Sequence, residues 1–308
     1  MLCMRSLQAS RSFMQLNFDV SVIISTYNQP GWLEYVLRGY MAQDFSGGFE
    51  IIVADDGSTE STAKLIKDLP SRPSIPVRHV WQPDQGFQKC RILNKSIAIS
   101  TGRFILFTDG DCIPPVNMVR MHASRARPGT FLTGGYLKLP EPLCNELKLV
   151  DIETRRCFDP LWLMRHGFKP TPKLLKLMLR PPLDRLANRI TPTKKTWNGH
   201  NSSCHRKDAI AANGFNEYMQ YGGEDVEFGR RLNHIGLQGR HLRYSVIPAH
   251  LYHQHGYVKP GMRENNAQIL RQTIHSRLIR SPLGLDQWLQ DNGTLSLAAE
   301  DVLWQSNG

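Results

Sequence analysis

Two acids one residue apart, Asp109 and Asp111, directly follow the apolar run of residues 104–107. Short unbroken apolar stretches are typical of strands that are buried on both faces in a parallel sheet, so the acids lie where such a strand ends. Ligands bind at that carboxyl edge in open α/β sheets. Two carboxylates spaced in this way can share a hard divalent cation, and the cation can hold a diphosphate. Such a pair is also common in solvated loops. The prediction of a metal and diphosphate site therefore depends on the position of the pair directly after a strand.

Polar residues also end the first two apolar runs of the chain. Thr26 and Asn28 follow the first run, and Asp55 and Asp56 follow the second. A carboxylate at this edge can accept a hydrogen bond from a uracil N–H, while Thr26 and Asn28 can frame the base. The alternative is that these acids only form a turn and cap the next helix, and we favour that interpretation for Asp56.

A second acid pair, Glu224 and Asp225, follows Gly222 and Gly223. Two glycines permit close approach of a sugar and backbone angles that other residues avoid. Apolar residues at helical spacing come next, so both acids lie in the first turn of a predicted helix, where the helix dipole favours their anionic forms. Simple capping of the helix is the alternative to a role in proton transfer.

Three histidines, His250, His253 and His255, lie within six residues and could complete a metal site. A site that combines carboxylate, imidazole and phosphate oxygens suits Mn²⁺ better than Mg²⁺, because imidazole is a softer ligand than oxygen. In a continuous strand His253 and His255 would share one face and His250 would take the other. The turn expected at Pro248 leaves the choice among the three open.

The elements that must position these groups alternate between strand and helix. Strands are predicted over residues 20–24, 49–54, 77–81 and 104–107, with helices between them. This alternation is typical of a parallel sheet with right-handed crossovers. A Gly-x-Gly-x-x-Gly motif is absent after the first strand, so the ordinary dinucleotide fingerprint is missing. The predicted fold class is α/β, Rossmann-like, with a mostly parallel sheet and an inserted basic helical segment.

The motifs together resemble those of family 2 glycosyltransferases of the GT-A fold. The resemblance rests on residues 22–28 (VIISTYN), 53–58 (VADDGS) and 109–111 (DGD). Residues 87–94 (FQKCRILN) and 213–232, which include YGGEDVEFGRRL, resemble β-1,4-galactosyltransferases and bacterial chondroitin polymerases. The match covers roughly residues 20–135 and 197–256, in the order of the family's motifs.

The resemblance implies a role for most of these residues. It places Asp55 against the base, Phe87 and Lys89 against the nucleotide, Asp109 on ribose or metal, and Asp111 and His253 on the metal, with His250 as a second imidazole. It makes Asp225 the general base on the acceptor hydroxyl and gives Glu224 a hydrogen bond to the acceptor. Tyr221 and Val226 stand where the family usually has Trp and a third acid, a difference that concerns the acceptor sugar more than the mechanism. Gly199 and its small polar neighbours could form the floor of the donor-sugar pocket, and Trp197 could stack on a sugar or lie in the core.

The predicted function is a metal-dependent, inverting transfer of a hexose or N-acetylhexosamine from a UDP-sugar to a saccharide acceptor, in the synthesis of lipopolysaccharide, capsule or O-antigen. Mn²⁺, or Mg²⁺, is the expected cofactor. One alternative is a sugar-phosphate nucleotidyltransferase, which also uses paired acids and metal but does not account for residues 222–225. The other is a non-catalytic protein that binds nucleotide or carbohydrate on the same fold.

The net charge of +11 is concentrated in one part of the chain. Residues 155–195 contain 11 Lys or Arg against two acids, a local balance of +9. A single basic, proline-rich segment suggests a lipid-linked or phosphorylated acceptor, or peripheral contact with a membrane through residues 165–195, rather than nucleic acid. A solvated loop is the alternative.

The same patterns divide the chain and suggest its compartment. We expect an N-terminal extension (1–18), a nucleotide-sugar-binding half (19–139), a basic insert (140–196), an acceptor and catalytic half (197–256) and a C-terminal helical tail (257–308). The six cysteines show no Cys-x-x-Cys pair, and no apolar stretch approaches the ~20 residues that cross a bilayer. The expected location is therefore cytoplasmic, with peripheral contact at the inner face of the membrane.

Overall fold

The computed structural model of the chain describes residues 18–70, 74–253, 258–289 and 301–306. Strands and helices alternate through the first half, as the sequence predicts. They are β1 (Val20–Thr26), α1 (Pro30–Met41), β2 (Phe49–Asp55), α2 (Glu60–Asp68), β3 (Val77–Trp81), α3 (Lys89–Ile99) and β4 (Phe104–Asp109).

The chain then passes through shorter elements before it reaches the second acid pair. These are β5 (Cys112–Ile113), α4 (Met118–Arg125), β6 (Thr130–Thr133), β7 (Leu137–Lys138), α5 (Glu141–Glu146), α6 (Leu149–Glu153), α7 (Pro160–Arg165), α8 (Leu175–Met178) and α9 (Leu183–Ile190). The remaining elements are β8 (Ser202–His205), α10 (Arg206–Ala211), α11 (Glu224–His234), β9 (Gln238–His241), β10 (Ala249–His250), α12 (Met262–His275) and β11 (Val302–Gln305).

Eight strands form the larger sheet, in the order β11-β3-β2-β1-β4-β8-β6-β9. Strands β3, β2, β1 and β4 are parallel, and their side chains alternate between two cores because a strand directs successive residues to opposite faces. Val22 and Ile24 lie in one core, and Ile23 lies in the other. The prediction of an α/β fold with a mostly parallel sheet is therefore confirmed.

Antiparallel strands extend the sheet on both sides. On one side, β8 pairs antiparallel with β4 and with β6, so the segment after the insert joins the same sheet. On the other side, β11 pairs antiparallel with β3, with Val302 opposite Trp81. Within residues 257–308, where we expect a helical tail, the structure has helix α12 and strand β11. This strand covers the backbone edge that β3 would otherwise expose, and a buried ion pair between Lys95 and Asp301 (2.6 Å) anchors its start.

A small second sheet, in the order β5-β10-β7, lies beside the end of β4. Within it His250 stands opposite Cys112, which is the residue after Asp111. The backbone N–H of Leu251 also donates to the carbonyl of Asp111 (2.9 Å). The late histidine segment is thereby fixed against the acid pair that follows β4.

The basic insert packs on the protein but leaves apolar side chains in solvent. Leu143, Leu163 and Leu174 are buried in the core beside the sheet. Other large apolar side chains of the insert are exposed, and those of helices α7, α8 and α9 are Leu161, Met164, Leu175, Met178, Leu183, Leu186 and Ile190. The helical character of this segment agrees with the sequence prediction.

All five cysteines in the described residues are buried and none forms a disulfide. No helix in these residues combines the length and the apolar character required to cross a membrane. The predicted N-terminal extension and His255 lie outside the described residues, apart from Phe18.

Candidate active site

The parallel strands end together, and this brings the predicted donor-binding residues to one edge. Thr26 is in register with Asp55, and Ser25 is in register with Asp109. The N–H of Gly110 donates to the carbonyl of Ser25 (2.7 Å), and a side chain at residue 110 would lie about 3.1 Å from that oxygen and from Thr26. Glycine between the two acids therefore lets the loop after β4 lie directly against the end of β1.

Asn28, in the loop after β1, is hydrogen-bonded to the loop after β2. Its backbone has a φ of 48°, which Asn tolerates better than most residues. Its N–H donates to Ser58 Oγ (2.8 Å), and its side-chain oxygen accepts from the N–H of Thr59 (2.9 Å). The neighbouring Thr26 Oγ1 is buried and has no hydrogen-bond partner among the described residues.

The two acids after β2 have different partners. Asp55 is fully buried, accepts from the N–H of Ser58 (2.8 Å) and pairs with His79 (2.9 Å). Asp56 accepts from Gln82 Nε2 (2.7 Å) and from the N–H of Gln88 (2.8 Å), and burial raises its pKa to about 7. Asp55 thus closes the turn that we had expected Asp56 to form, and its contact with a base stays a prediction.

Lys89 links the end of strand β4, where Asp109 lies, to the second acid pair, Glu224 and Asp225. Its ammonium donates to Asp109 Oδ1 (2.7 Å), which also accepts from Ser25 Oγ (2.7 Å). Burial favours the neutral amine, but the carboxylates of Asp109, Asp225 and Glu224 outweigh it and raise the pKa of Lys89 well above its usual range. Burial likewise opposes ionisation of Asp109, yet Lys89 holds its pKa below the usual carboxyl range. One cation therefore lies within reach of both acid pairs.

Asp111, His250 and His253 come together as three groups that could hold a metal ion. His253 Nε2 lies 3.2 Å from one carboxylate oxygen of Asp111, and His250 Nε2 lies 3.8 Å from the other. All three side chains are half-buried, and the three donor atoms lie within 4.8 Å of one another. Strand β10 ends at His250, so the alternation of side chains along a strand does not apply to His253. Its ring can therefore lie on the same side as that of His250, next to Asp111.

Gly222 and Gly223 both have positive φ angles, 101° and 94°, and lead into helix α11. The N–H of Gly222 donates to Glu224 Oε2 (2.8 Å). Burial, and then the charge of Asp225, raise the pKa of Glu224 to about 7. Glu224 therefore combines a structural bond inside the loop with a readily protonated carboxyl.

Asp225 is held against Gly199. A methyl group added at Gly199 would lie 2.8 Å from Asp225 Oδ2, so only glycine leaves room for this carboxylate. Oδ1 of Asp225 is buried and has no hydrogen-bond partner among the described residues. Burial raises the pKa of Asp225, although Lys89 opposes the shift. The arrangement gives a carboxylate with one free oxygen and an increased affinity for a proton.

Comparison with known families now adds to this geometry. Residues 21–133 match the model of glycosyl transferase family 2, and residues 188–254 match the model described as the N-terminal domain of galactosyltransferase. Residues 21–133 form a family 2 glycosyltransferase domain. The two matched segments hold the donor edge and the Gly-Gly-Glu-Asp loop respectively.

The relatives of this glycosyltransferase domain include large polysaccharide synthases. It is 28% identical over 275 residues to the chondroitin synthase of Escherichia coli. The matched region spans 82% of this chain but only 36% of that enzyme. Its fold is similar to that of Staphylococcus aureus TarS 1–349 in complex with UDP-GlcNAc, with a TM-score of 0.54, 16% identity and coverage of 87% of this chain and 69% of the other. A mannosyltransferase from Pyrobaculum calidifontis, in complex with GDP-Man and Mn²⁺, gives a TM-score of 0.51, 16% identity and coverage of 85% and 71%. The predicted GT-A fold is confirmed.

The glycosyltransferase domain uses its aromatic residues in two ways. Trp197 is 1% exposed and packs against Phe107, Phe131 and Phe228, so it belongs to the core and does not stack on a sugar. Phe87, in contrast, meets Tyr221 edge to face (5.7 Å between ring centroids). This contact joins the loop before α3 to the loop before α11.

Sequence reasoning missed two parts of the glycosyltransferase site. Tyr136 and His200 lie against the metal donors, with ring centroids 5.3 Å and 6.4 Å from His250. Burial lowers the pKa of His200 to about 4. Asn266 of α12 donates to the carbonyls of Gln220 (2.8 Å) and Gly222 (2.9 Å). The tail, to which we assigned no task, thus holds the Gly-Gly loop in place, and no motif in the sequence indicates it.

Proposed function

We propose that this protein moves a hexose or N-acetylhexosamine from a UDP-sugar to a saccharide acceptor, with inversion at the anomeric carbon. The observation that carries the proposal is the position of Asp225. Its carboxylate lies beside Gly199 and has one oxygen without a hydrogen-bond partner among the described residues, and Lys89 lies between Asp225 and the strand end that holds Asp109. This geometry supports Asp225 as the acid that takes the proton, and the strand end across Lys89 as the binding edge for the donor.

Mn²⁺ fits the three donors at the end of β4. Asp111 offers a carboxylate, and His250 and His253 each offer an imidazole nitrogen, a mixed set that suits Mn²⁺ better than Mg²⁺. The Nδ1 atom of His250 is buried without a hydrogen-bond partner among the described residues, so this ring is not committed elsewhere through that atom. Bound there, the ion would act as a Lewis acid that offsets the negative charge of the leaving UDP.

The chain's own residues supply the remaining steps. Asp225 accepts the proton of the acceptor hydroxyl, whose oxygen forms the new bond to the anomeric carbon as the bond to UDP breaks on the opposite face. Lys89, released from Asp109, can pair with the diphosphate, because an ammonium stabilises phosphate charge. Glu224 holds the acceptor by a hydrogen bond. No covalent intermediate on the protein is required.

A product assay tests this function directly. The protein is incubated with UDP-glucose, UDP-galactose, UDP-GlcNAc or UDP-GalNAc, Mn²⁺ and an acceptor panel of oligosaccharides, and the released nucleotide and the anomer of the product are measured. We expect UDP and an inverted linkage. Release of pyrophosphate in a parallel reaction with UTP and a sugar 1-phosphate would favour the nucleotidyltransferase. Binding of UDP without transfer would favour the non-catalytic protein, and a retained anomer would contradict the role of Asp225.

The metal site gives a prediction that does not depend on activity. Asp111→Asn and His253→Gln should each weaken Mn²⁺ binding at least tenfold, because changes even to the partners of metal ligands cost about 10–100-fold in affinity. Binding is measured by titration calorimetry and by the Mn²⁺ electron paramagnetic resonance signal. The control is Asp68→Asn, which removes an exposed acid at the end of α2. Unchanged Mn²⁺ binding in both site variants would contradict the assignment, and His255→Gln tests the third histidine.

The acceptor is proposed to be a cell-surface glycan, and the basic insert to contact an anionic membrane that carries it. Helix α9 supports this, since Leu183, Leu186 and Ile190 share one face and are 58%, 53% and 69% exposed. Cations precede this helix in the sequence, including Lys173 and Arg180, and apolar residues flanked by cations are typical of helices that lie in a lipid interface.

Vesicle sedimentation tests the membrane contact. The protein should bind vesicles that contain phosphatidylglycerol more tightly than vesicles of phosphatidylcholine, and the binding should fall at high salt. A Leu183→Ser and Leu186→Ser double variant should bind about tenfold more weakly, because full burial of one leucine side chain contributes about 1.5–3 kcal/mol and a tenfold change in affinity corresponds to about 1.4 kcal/mol. The matched control is Ile279→Ser, which changes an exposed apolar residue outside the insert. Equal vesicle binding by the wild type, the double variant and the control would contradict the proposed membrane contact.

A further inference from the structure

A cavity of about 270 Å³ lies between the end of helix α4, helix α9 and strands β6 and β9. Its lining includes five cationic side chains, Arg125, Arg185, Arg189, Lys195 and Arg240. The other lining residues are neutral polar or apolar, apart from a histidine, and none of them belongs to the candidate active site. The cavity is therefore strongly basic and separate from the donor and metal residues.

The cations in this cavity lack partners. Within the part of the chain that the structure describes, none of the five forms an ion pair with a carboxylate. Burial, followed by the charge of Arg185, lowers the pKa of Arg125. Like charges held this close repel one another, and an anion between them would remove that cost.

The wall that carries two of these cations is firmly attached. Asn188 of α9 donates to Ser245 Oγ (2.8 Å) and accepts from the N–H of Tyr244 (3.0 Å). Ser245 in turn donates to Asp184 (2.6 Å), so the nearby acid is already engaged. Arg185 and Arg189 lie one turn apart on this fixed helix. Their separation from Arg240 is therefore set by the fold, which makes the cavity a preformed site.

We propose that this cavity binds a phosphate or diphosphate group. Guanidinium groups match phosphate oxygens in paired hydrogen bonds, and several of them converge here. The volume is below the about 300–1,000 Å³ of pockets that enclose drug-sized ligands, so a compact anion fits better than an entire nucleotide sugar. The group can come from a phosphorylated saccharide or from a lipid headgroup. The proposal rests on the cavity alone and does not require the transferase activity.

Calorimetric titration with inorganic pyrophosphate, in the absence of divalent ions, tests the site. The wild-type protein should bind one equivalent outside the nucleotide site, with an affinity that falls as salt is raised. The Arg185→Gln and Arg240→Gln double variant should bind at least about tenfold more weakly, since hydrogen bonds to charged groups are the stronger ones. The control Lys64→Gln and Lys67→Gln removes two exposed cations of α2 and should bind normally.

Two further measurements make the result decisive. Arg189→Gln, at an exposed position, should also weaken binding, and the urea midpoint of each variant shows that it is folded. Glucose 6-phosphate and vesicles with phosphatidic acid then separate the two sources, because only the true source should depend on Arg185 and Arg240. Equal pyrophosphate affinity of the double variant and the control would overturn the proposal. UDP binding itself should be unchanged in the double variant, so failure here is distinct from failure of the transferase assignment.

Discussion

Asp225→Asn should lower kcat about 10²–10⁴-fold and leave the affinity for the UDP-sugar unchanged, because the change removes general base catalysis without changing the shape of the side chain. The carboxylate lies against Gly199 and has one buried oxygen without a partner in the described residues, so an amide can occupy the same space. The rate is measured by UDP release with a saturating acceptor, and donor affinity by calorimetry.

The pH dependence of kcat gives a second measure of the same residue. A base must be deprotonated to act, so kcat should fall as the pH falls through the pKa of Asp225. Burial raises that pKa, and the limb should therefore lie above the ~3.9 of an exposed Asp. Asp225→Asn should abolish the limb.

Glu224→Gln serves as the control for that experiment. It removes the other acid of the pair, whose pKa is raised to about 7, and leaves Asp225 in place, so a limb that belongs to Asp225 should remain. A kcat within a few-fold of wild type in Asp225→Asn, or a limb that persists in this variant, would show that another group takes the proton.

The first half of the fold could be predicted because local pattern and tertiary environment agree there. Strands β1, β2 and β4 are mostly apolar runs, and in the structure nearly every residue in them is buried. A parallel sheet covered on both faces demands such runs. Their shared ends then place Asp55 and Asp109 at one edge without further information.

The later strands could not be predicted, because their local sequence pattern does not reflect their tertiary environment. Strand β8 is Ser202–His205, a short polar segment that is buried by its neighbours and not by its own apolar character. Strand β11 pairs with β3, which lies more than 200 residues earlier in the chain. Only long-range pairing defines such elements, and a local pattern does not contain it.

The candidate site shows the same division. The spacing of Asp109 and Asp111, and of Glu224 and Asp225, indicated chemistry because the acids stand beside glycines at element ends. The bond from Asn266 to the Gly-Gly loop, and the contact of His200 with the metal donors, depend on how distant segments meet. Trp197 illustrates the limit most plainly, since its sequence context fits a sugar platform and the core equally well.

Glu227→Gln should lower the free energy of unfolding by about 3–5 kcal/mol, because it leaves the charge of Arg231 buried without its partner. Both side chains are fully buried, and two bonds of 2.8 Å join them, while Thr273 also donates to Glu227 (3.0 Å). Sequence spacing alone would suggest an exposed pair one helical turn apart, worth a few tenths of a kcal/mol. The unfolding free energy is measured by urea denaturation.

The chain offers a matched control in Glu34→Gln. Glu34 and Arg38 form a pair with the same spacing in helix α1, but both side chains are more than a quarter exposed, so the loss should stay below about 1 kcal/mol. The double variant Glu227→Met and Arg231→Met should recover most of the loss, because it removes both buried charges together. Equal effects at the two glutamates would mean that the pair in α11 is solvated. A large difference would instead show that the helix that presents Glu224 and Asp225 is fixed by an ion pair in the core, so that the acids enter the reaction from a rigid support.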